Sequence, residues 1–257
     1  MSITLKTEDA IKKLRKGGKI HAAILDELEK VAVVGNTTLD IDDRAMELAE
    51  EYGVQPLLLG YQPQFSSRPF PAATCISIND ILVHGIPNED SKTIEDGDIV
   101  SIDLVTGYDG VVLDAARTIG VGNISPEAKV LLDVTKAALK AGVHAAQPGN
   151  RVKDIGKAIE AVVPEGYGIV EALSGHGVGY EIHEEPMVPN FVMKGESPEL
   201  VPGMVIAIEP MIVYGDKDVI FDEHDGYTVF TADGNISAHM EHTVLITKKG
   251  PEILTIK

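Results

Sequence analysis

Gly97-Asp-Ile-Val-Ser-Ile-Asp103-Leu-Val-Thr-Gly-Tyr-Asp-Gly-Val-Val-Leu-Asp114-Ala-Ala116 is the stretch of sequence from which the fold can be predicted. β-Branched and apolar residues fill 99–106 and 111–115, which is the composition of two strands. The four residues between them, Gly107-Tyr-Asp-Gly110, are typical of a turn. The pattern therefore predicts a β-hairpin with one aspartate in each strand.

The register of this hairpin decides what its two aspartates do. With a four-residue loop, Thr106 faces Val111, and counting back along both strands places Asp103 opposite Asp114. Directly opposed residues share a face, with Cβ atoms about 4.5–5.5 Å apart. Two carboxylates at that distance repel each other unless they share a proton or bind a cation. The alternative is a register one or two residues off, with both aspartates on a solvated edge.

Length, composition and charge limit the classes of protein. The 257 residues are 44% hydrophobic, enough for one large domain with a core. The net charge of −18 argues against nucleic acid and anionic membranes as partners. A single cysteine excludes an internal disulfide and fits a reducing compartment. We find neither an apolar run of about 20 residues nor a signal segment, so we expect a cytoplasmic protein.

Helical periodicity and capping residues predict four helices, and short apolar runs predict the remaining strands. Thr7 is the expected N-cap of the first helix, whose middle we expect Gly17-Gly18 to weaken. Ser125-Pro126 is a strong start for the third helix. The expected helices are 7–31, 40–52, 126–146 and 153–162, and the expected strands outside the hairpin are 74–78, 81–84, 168–173, 204–213, 227–231 and 240–247.

A short internal repeat indicates a duplicated architecture. Gly35-Asn36-x-x-x-Asp40-Ile41 recurs as Gly149-Asn150-x-x-x-Asp154-Ile155, each time between a longer and a shorter helix. We therefore expect one domain, 1–257, made of two halves at roughly 1–122 and 123–257. Because the strands do not alternate with helices, the fold class is α+β, with antiparallel sheets in the centre and helices outside.

Two further apolar strands each carry one glutamate, and a glycine-rich segment carries a histidine. Glu209 lies in Val205-Ile-Ala-Ile-Glu-Pro-Met, Glu241 lies in Met240-Glu-His-Thr-Val-Leu-Ile-Thr, and His176 lies between glycines. A carboxylate in an apolar strand needs a partner. Arg117 is the nearest cation in sequence and cannot balance four carboxylates, whereas two divalent ions can. Four carboxylates and one imidazole form a hard, oxygen-rich ligand set, and bridged ions lie about 3.5–4 Å apart.

The chain resembles the methionine aminopeptidases, whose fold is called the pita-bread fold. The resemblance runs from Lys6-Thr7-Glu8 to Glu252-Ile-Leu, in the short bacterial-style type I form. Each motif alone is weak, but their order and spacing together are specific. The motifs are Ser77-Ile-Asn79, His84-Gly-Ile-Pro87, Gly97 to Asp103, Asp114, Gly175-His176-Gly-Val-Gly179, His183-Glu-Glu-Pro186, Ile208-Glu209-Pro-Met211 and Glu241-His-Thr243.

The resemblance implies a site residue by residue. The implied ligands of two divalent ions (Co, Mn, Fe, Zn or Ni) are Asp103, Asp114, His176, Glu209 and Glu241. A water between the ions would attack the scissile carbonyl, and Glu209 would take and return its proton. His183 would stabilise the oxyanion and His84 would contact the leaving nitrogen. The implied activity is removal of the N-terminal methionine from nascent proteins whose second residue is small.

The resemblance also implies a pocket for the thioether and a site for a monovalent cation. Cys75 and Met211 match pocket walls, and further candidates are Phe70, Ile182, Tyr227 and His239. Asn79, Ile81 and Ser237 match positions that supply oxygens to the monovalent cation. The segment from Tyr61 to Phe70 departs from the family by being longer and richer in proline. The absence of a zinc-binding extension and the Met1-Ser2 start fit the short form and its substrate class.

Two other functions stay open from the sequence. A proline-specific aminopeptidase of the same fold is one, although such enzymes usually carry a large N-terminal domain. A metal-free binding protein on the same fold is the other, although such a protein should have lost ligands. We expect a monomer that meets nascent chains, with a transient ribosome contact and no nucleic-acid or membrane partner.

Overall fold

A computed structural model describes residues 3–63 and 66–257. It contains four sheets within these residues, with helices packed outside them. The helices are α1 (Glu8–Val31), α2 (Thr38–Tyr52), α3 (Pro126–Ala145) and α4 (Val152–Glu160). The strands are β1 (Gln55–Pro56), β2 (Thr74–Ile78), β3 (Ile81–Val83), β4 (Ile99–Tyr108), β5 (Val111–Gly120), β6 (Tyr167–Ile169), β7 (Gly175–Gly177), β8 (Glu184–Val188), β9 (Val205–Ile208), β10 (Met211–Tyr214), β11 (Val219–Phe221), β12 (Val229–Thr231), β13 (Ser237–His239), β14 (His242–Thr247) and β15 (Gly250–Ile253).

The central hairpin forms, but its register differs from the predicted one. Asp109 and Gly110 are the whole loop, and both have positive φ (49° and 80°). Such two-residue loops suit the twist of a hairpin, and Asp-Gly is a preferred pair for them. Asp103 therefore faces Ala116, and Asp114 faces Val105. Because this shift is two residues, both aspartates keep the same face and become diagonal neighbours rather than directly opposed ones. Asp114 is buried and Asp103 is half-buried, so neither lies on a solvated edge.

A second hairpin-like pair carries the two glutamates. The predicted strand 204–213 is divided into β9 and β10, because Glu209-Pro210 interrupts it. The predicted strand 240–247 likewise begins later, at His242. Ile208 pairs with His242 and Met211 pairs with His239, so both segments keep one antiparallel register across the gap. Continuing that register through the gap places Glu209 opposite Glu241.

The helices pack on the sheets through their apolar faces. Thr7 caps α1 as predicted, by accepting a hydrogen bond from Ala10 N–H at 3.2 Å. Ser125 caps α3 in the same way, with Pro126 at its first position. Leu25 and Leu28 of α1 pack with the first half's core, and Ile155 and Ile159 of α4 pack with the second half's core.

The predicted weakening of α1 at Gly17-Gly18 is not observed, since the helix runs through both residues without interruption. The two glycines have a different role. A Cβ on Gly18 would lie 2.1 Å from the carbonyl oxygen of Leu254, and a Cβ on Gly17 would lie 2.9 Å from Leu113 Cδ2. The two glycines therefore allow the C-terminal segment and the central hairpin to approach the helix.

The repeated Gly-Asn segments adopt the same local structure. Gly35 and Gly149 have φ of 91° and 90°, and each lies just before a helix. Asn36 Nδ2 donates to the carbonyl of the residue five positions earlier, at 2.8 Å, and Asn150 Nδ2 does so at 2.9 Å. Equivalent backbone bonds tie each segment to a later loop, through Ile94 in one case and Leu200 in the other. This correspondence favours two similar halves, and we propose their boundary near residue 122.

Candidate metal centre

One cavity of about 150 Å³ collects the nine side chains predicted as divalent-metal ligands, as the two substrate-contacting histidines and as the two matched pocket walls. They come from both halves of the chain and from residues separated by up to 166 positions. The nine are Cys75, His84, Asp103, Asp114, His176, His183, Glu209, Met211 and Glu241.

The carboxylates reach this cavity because their strands meet there. β4 and β5 carry Asp103 and Asp114, while Glu209 and Glu241 lie in the gap between two sheets. β7 carries His176 and pairs with β9 through Gly177 and Ile206. The two carboxylate pairs therefore line one cavity, although they come from distant parts of the chain.

Distances between the side chains show how tightly the polar atoms are gathered. His176 Nε2 lies 3.4 Å from Glu209 Oε1 and 3.8 Å from Asp114 Oδ2. Asp114, His176 and Glu241 each offer a ligand atom, and these atoms lie within 4.8 Å of one another. His239 Nε2 lies 3.4 Å from Glu209 Oε2. Of the predicted ligands, Asp103 and Glu209 line the same cavity but are outside this group of three.

Several buried carboxylate oxygens in the cavity have no hydrogen-bond partner among the described residues. Asp103 Oδ1, Asp114 Oδ1 and Glu241 Oε1 are buried and lack a hydrogen-bond partner among the described residues. No lysine or arginine is among the described residues that line the cavity. Buried carboxylates of this kind need cations or protons. Oxygen-rich ligand sets suit divalent metal ions, so the residues present fit such ions.

The pKa values of the cavity carboxyl groups reflect their burial and their closeness to one another. Burial raises the pKa of Asp103 to about 6. Burial, followed by repulsion between the carboxylates, raises the pKa of Asp114 and of Glu241 well above their usual range. Burial also opposes ionisation of Glu209, but the contact with His239 and the proximity of His176 outweigh it and lower the pKa of Glu209. Glu209 is therefore the carboxylate in this cavity that ionises most readily.

The two remaining histidines lie at the edge of the carboxylate group. His84 follows β3 with φ of 59°, a left-handed conformation that points the chain away from the strand. Burial lowers its pKa, so the ring is neutral at pH 7. The His183 ring lies 4.3 Å from the His176 ring, centroid to centroid, and its Nδ1 lies 2.8 Å from the hydroxyl of Tyr61.

A buried ion pair holds the loop that carries His183. Glu184 accepts hydrogen bonds from the N–H groups of Tyr180 and Glu181, at 2.7 and 3.1 Å. Its other carboxylate oxygen pairs with Lys6 Nζ, and the two side chains are 9% and 1% exposed. Gly179 has φ of +125°, and a Cβ there would lie 2.5 Å from Lys6 Cε. This role of Lys6 has no local signal in the sequence, because Lys6 and Glu184 are 178 positions apart.

An apolar recess of about 70 Å³ adjoins the cavity. The recess is lined by three of the pocket residues predicted from the sequence, Cys75, Phe70 and Tyr227. The other three, Met211, Ile182 and His239, line the main cavity instead. Leu58, Tyr61 and Pro63 also line the recess and were not predicted individually. The unusual segment from Tyr61 to Phe70 was the available signal for the last two. Its residues 64 and 65 lie outside the described part of the chain, as do Met1 and Ser2.

The predicted monovalent-cation residues lie close together and are not among the residues that line the carboxylate cavity. Asn79 has φ of 56°, and its carbonyl accepts hydrogen bonds from Ser237 N–H at 2.8 Å and Ser237 Oγ at 3.0 Å. Ile81 begins the next strand. The cation itself stays a prediction.

Comparison with known proteins identifies the class. The model of metallopeptidase family M24 matches residues 12–248. A methionine aminopeptidase from Aquifex aeolicus is 46% identical over 258 residues, covering 99% of each chain. A solved methionine aminopeptidase from Thermotoga maritima covers 100% of each chain at 39% identity with a TM-score of 0.93. A prolidase from Pyrococcus furiosus has a TM-score of 0.73 at 29% identity, and 65% of its length is covered.

These matches define a metal-dependent peptidase with the pita-bread fold, so the predicted fold class is confirmed. The chain belongs to metallopeptidase family M24 and, within that family, to the methionine aminopeptidases. None of the helices in the described residues is long and apolar enough to cross a membrane.

Proposed function

We propose that this chain removes the N-terminal methionine from polypeptides whose second residue is small, and that it depends on divalent metal ions to do so. The observation that carries the proposal is the cavity in which buried, unpartnered carboxylates and a histidine converge beside an apolar recess. Relatives named methionine aminopeptidases match the chain from end to end.

The five ligands predicted from the sequence would hold two ions. Asp103, Asp114 and Glu241 carry the unpartnered oxygens, and His176 and Glu209 lie beside them. Co, Mn, Fe, Zn and Ni are all compatible with this ligand set. Ions bound there would supply Lewis-acid chemistry, polarising the scissile carbonyl and lowering the pKa of a water.

The protein's own groups would handle protons and charge. Glu209, whose lowered pKa favours an ionised carboxylate, would take a proton from the attacking water and return it to the leaving amine. His183 would donate a hydrogen bond to the developing oxyanion, with its ring oriented by the contact with Tyr61. His84, at the same cavity, would contact the leaving nitrogen.

The apolar recess is where the methionine side chain would bind. Phe70 and Tyr227 meet edge to face at 5.0 Å between ring centroids, and Cys75 contributes a buried, uncharged thiol. A thioether packs well against aromatic rings and sulfur. Met211 lines the main cavity, and we propose that it bounds the space for the second residue.

A proline-specific aminopeptidase is not favoured, because the solved prolidase is covered over only 65% of its length. A metal-free binding protein is not favoured either, because all five ligand positions keep residues that bind metals. We further propose a cytoplasmic monomer that meets nascent chains, with a transient contact with the ribosome.

The test is release of free methionine from Met-Ala-Ser and Met-Leu-Ser, measured before chelation, after chelation and after adding Mn²⁺ or Co²⁺. We expect metal-dependent cleavage of the alanine peptide and little cleavage of the leucine peptide. Glu209→Gln should lower kcat by roughly 100-fold or more, whereas Glu223→Gln, at an exposed position, should leave it unchanged. A folded protein that neither binds metal nor cleaves either peptide would contradict the proposal.

A further inference from the structure

Two threonine hydroxyls join the halves of the molecule beside the carboxylates. β5 and the segment 239–243 run antiparallel, with contacts at every second residue: Thr118 with His239, Ala116 with Glu241, and Asp114 with Thr243. In the middle contact, Glu241 N–H donates directly to the carbonyl of Ala116, at 2.9 Å. At both outer contacts, a threonine hydroxyl makes the hydrogen bonds that backbone groups of a neighbouring strand would otherwise make.

Each hydroxyl serves both polar atoms of the residue that it faces. Thr243 Oγ1 donates to the carbonyl of Asp114 at 2.6 Å and accepts from the N–H of Asp114 at 3.0 Å. Thr118 Oγ1 donates to the carbonyl of His239 at 2.6 Å and accepts from its N–H at 2.9 Å. A hydroxyl can do both because it carries one donor and two acceptor lone pairs.

The burial of these contacts makes the hydroxyls hard to replace. Thr243 is 0% exposed and Thr118 is 5% exposed, so water has little access to the backbone atoms that they satisfy. A valine at either position would keep the shape and leave a buried N–H and a buried C=O without partners. The structure would then have to shift one strand relative to the other, or admit water between them.

The strands joined in this way are the ones that carry the carboxylates. Asp114 is itself the residue held by Thr243, and Glu241 lies two positions before Thr243 on the opposite strand. Their side chains enter the same cavity, where both are buried. The threonine hydrogen bonds hold the backbone that carries these two side chains.

We propose that Thr243 and Thr118 are positioning residues, which hold Asp114 and Glu241 at the spacing that divalent ions require. The inference rests on the proposed function, because the two carboxylates are metal ligands only if that function is correct. Thr243 has the larger role, since it contacts a ligand residue directly. Thr118 acts one step away, through His239.

The test compares four variants, three with the same Thr→Val change and one with Thr→Ser. Thr243→Val and Thr118→Val remove the hydroxyls, and Thr243→Ser keeps one. Thr135→Val is the matched control, because Thr135 is also 0% exposed but, among the described residues, its hydroxyl bonds to Leu131 within α3 and not to another strand. Mn²⁺ binding to the chelated proteins is measured by calorimetry, and kcat and KM are measured with Met-Ala-Ser.

We expect Thr243→Val to weaken Mn²⁺ binding and lower kcat by about 10–100-fold, which is the usual effect of losing a residue that orients a ligand. Its KM should change much less than kcat. Thr118→Val should show a smaller loss, while Thr243→Ser and Thr135→Val should behave like the wild type. Equal Mn²⁺ affinity in Thr243→Val and Thr135→Val would overturn the inference.

Amide hydrogen exchange separates this inference from the proposed function. In the metal-free protein, Thr243→Val should speed exchange at the Asp114 amide, and Thr118→Val should speed it at the His239 amide. A wild type that is inactive and binds no Mn²⁺ would contradict the proposed function, and with it the positioning role. Unchanged exchange in both valine variants would overturn the hydroxyl contacts themselves, whatever the activity.

Discussion

At the scale of single residues, one histidine outside the cavity is also fully buried and has a lowered pKa. His21 lies on α1 with 0% exposure, and its Nδ1 is 2.8 Å from Thr106 Oγ1. Its Nε2 has no hydrogen-bond partner among the described residues. Burial, followed by the charge of Arg117, lowers its pKa to about 3. The ring is therefore neutral in the folded protein over the whole physiological range.

This lowered pKa predicts that His21 makes the fold sensitive to acid. Since the unfolded chain binds a proton at His21 below about pH 6.5 and the folded chain does not, the contribution of His21 to the free energy of unfolding falls as pH falls from 6.5 toward 3. The slope for one such group is about 1.4 kcal/mol per pH unit. The stability difference between wild type and His21→Gln should therefore shrink between pH 7 and pH 5.

Urea unfolding of both proteins at several pH values measures this difference. The cavity carboxyls are common to both proteins, so their titration cancels. A stability difference that is independent of pH would show that His21 gains no proton on unfolding in this range.

At the scale of secondary structure, α1 shows that a residue unfavourable for a helix can be required by its neighbours. Gly18 meets the backbone carbonyl of Leu254, and Gly142 in α3 meets only the side-chain ends of Ile159 and Ile208, at 3.1 Å. Both lie inside helices, where alanine is favoured over glycine by about 1 kcal/mol. The two glycines differ in what surrounds them, rather than in the helix itself.

Gly18→Ala and Gly142→Ala should therefore have different effects. The methyl group added in Gly18→Ala would displace a backbone oxygen now 2.1 Å from its position, so we expect a net loss of about 2 kcal/mol and a lower Tm. In Gly142→Ala, side-chain ends can move by a few tenths of an ångström, so the stability should stay within about 1 kcal/mol of wild type. Thermal unfolding of the two variants compares them directly. Equal Tm values would contradict the steric explanation for Gly18.

At the scale of the whole molecule, one cavity gathers four carboxyl groups in a protein that already carries a net charge of −18. Asp103, Asp114 and Glu241 have raised pKa values in the folded chain without ions. Such groups stabilise the fold below their unfolded pKa values, and this stability is lost as pH rises through the folded ones. Bound cations would replace the protons at higher pH.

The stabilisation by metal should therefore depend on pH. We expect Mn²⁺ to raise the Tm of the chelated protein more at pH 7.5 than at pH 5.5, because fewer protons compete for the carboxylates at the higher pH. Calorimetric scans with and without Mn²⁺ at both pH values measure the effect. Glu241→Gln should reduce the gain, whereas Glu223→Gln should not. The same gain at both pH values would contradict a site made of these carboxylates.

Much of the fold was predictable from local signals in the sequence. Capping threonine and serine residues, helical periodicity and turn glycines act within a few residues, so the four helices lie close to their predicted bounds. The order and spacing of the motifs were enough for the family, because they run over nearly the whole chain. Charged residues in apolar strands also predicted which side chains gather in the cavity, since such residues need partners wherever they lie.

Only the tertiary structure decided how those parts meet. The hairpin register depends on positive φ at both Asp109 and Gly110. Because the loop has two residues rather than the predicted four, the residue opposite Asp103 is Ala116 and not Asp114. The pairing of Lys6 with Glu184, and the contact of Tyr61 with His183, join residues more than 100 positions apart. Likewise, the hydroxyls of Thr118 and Thr243 contact strands of the opposite half. Residue types and short spacings determine which groups need a partner, but the packing of distant segments determines which partner each one finds.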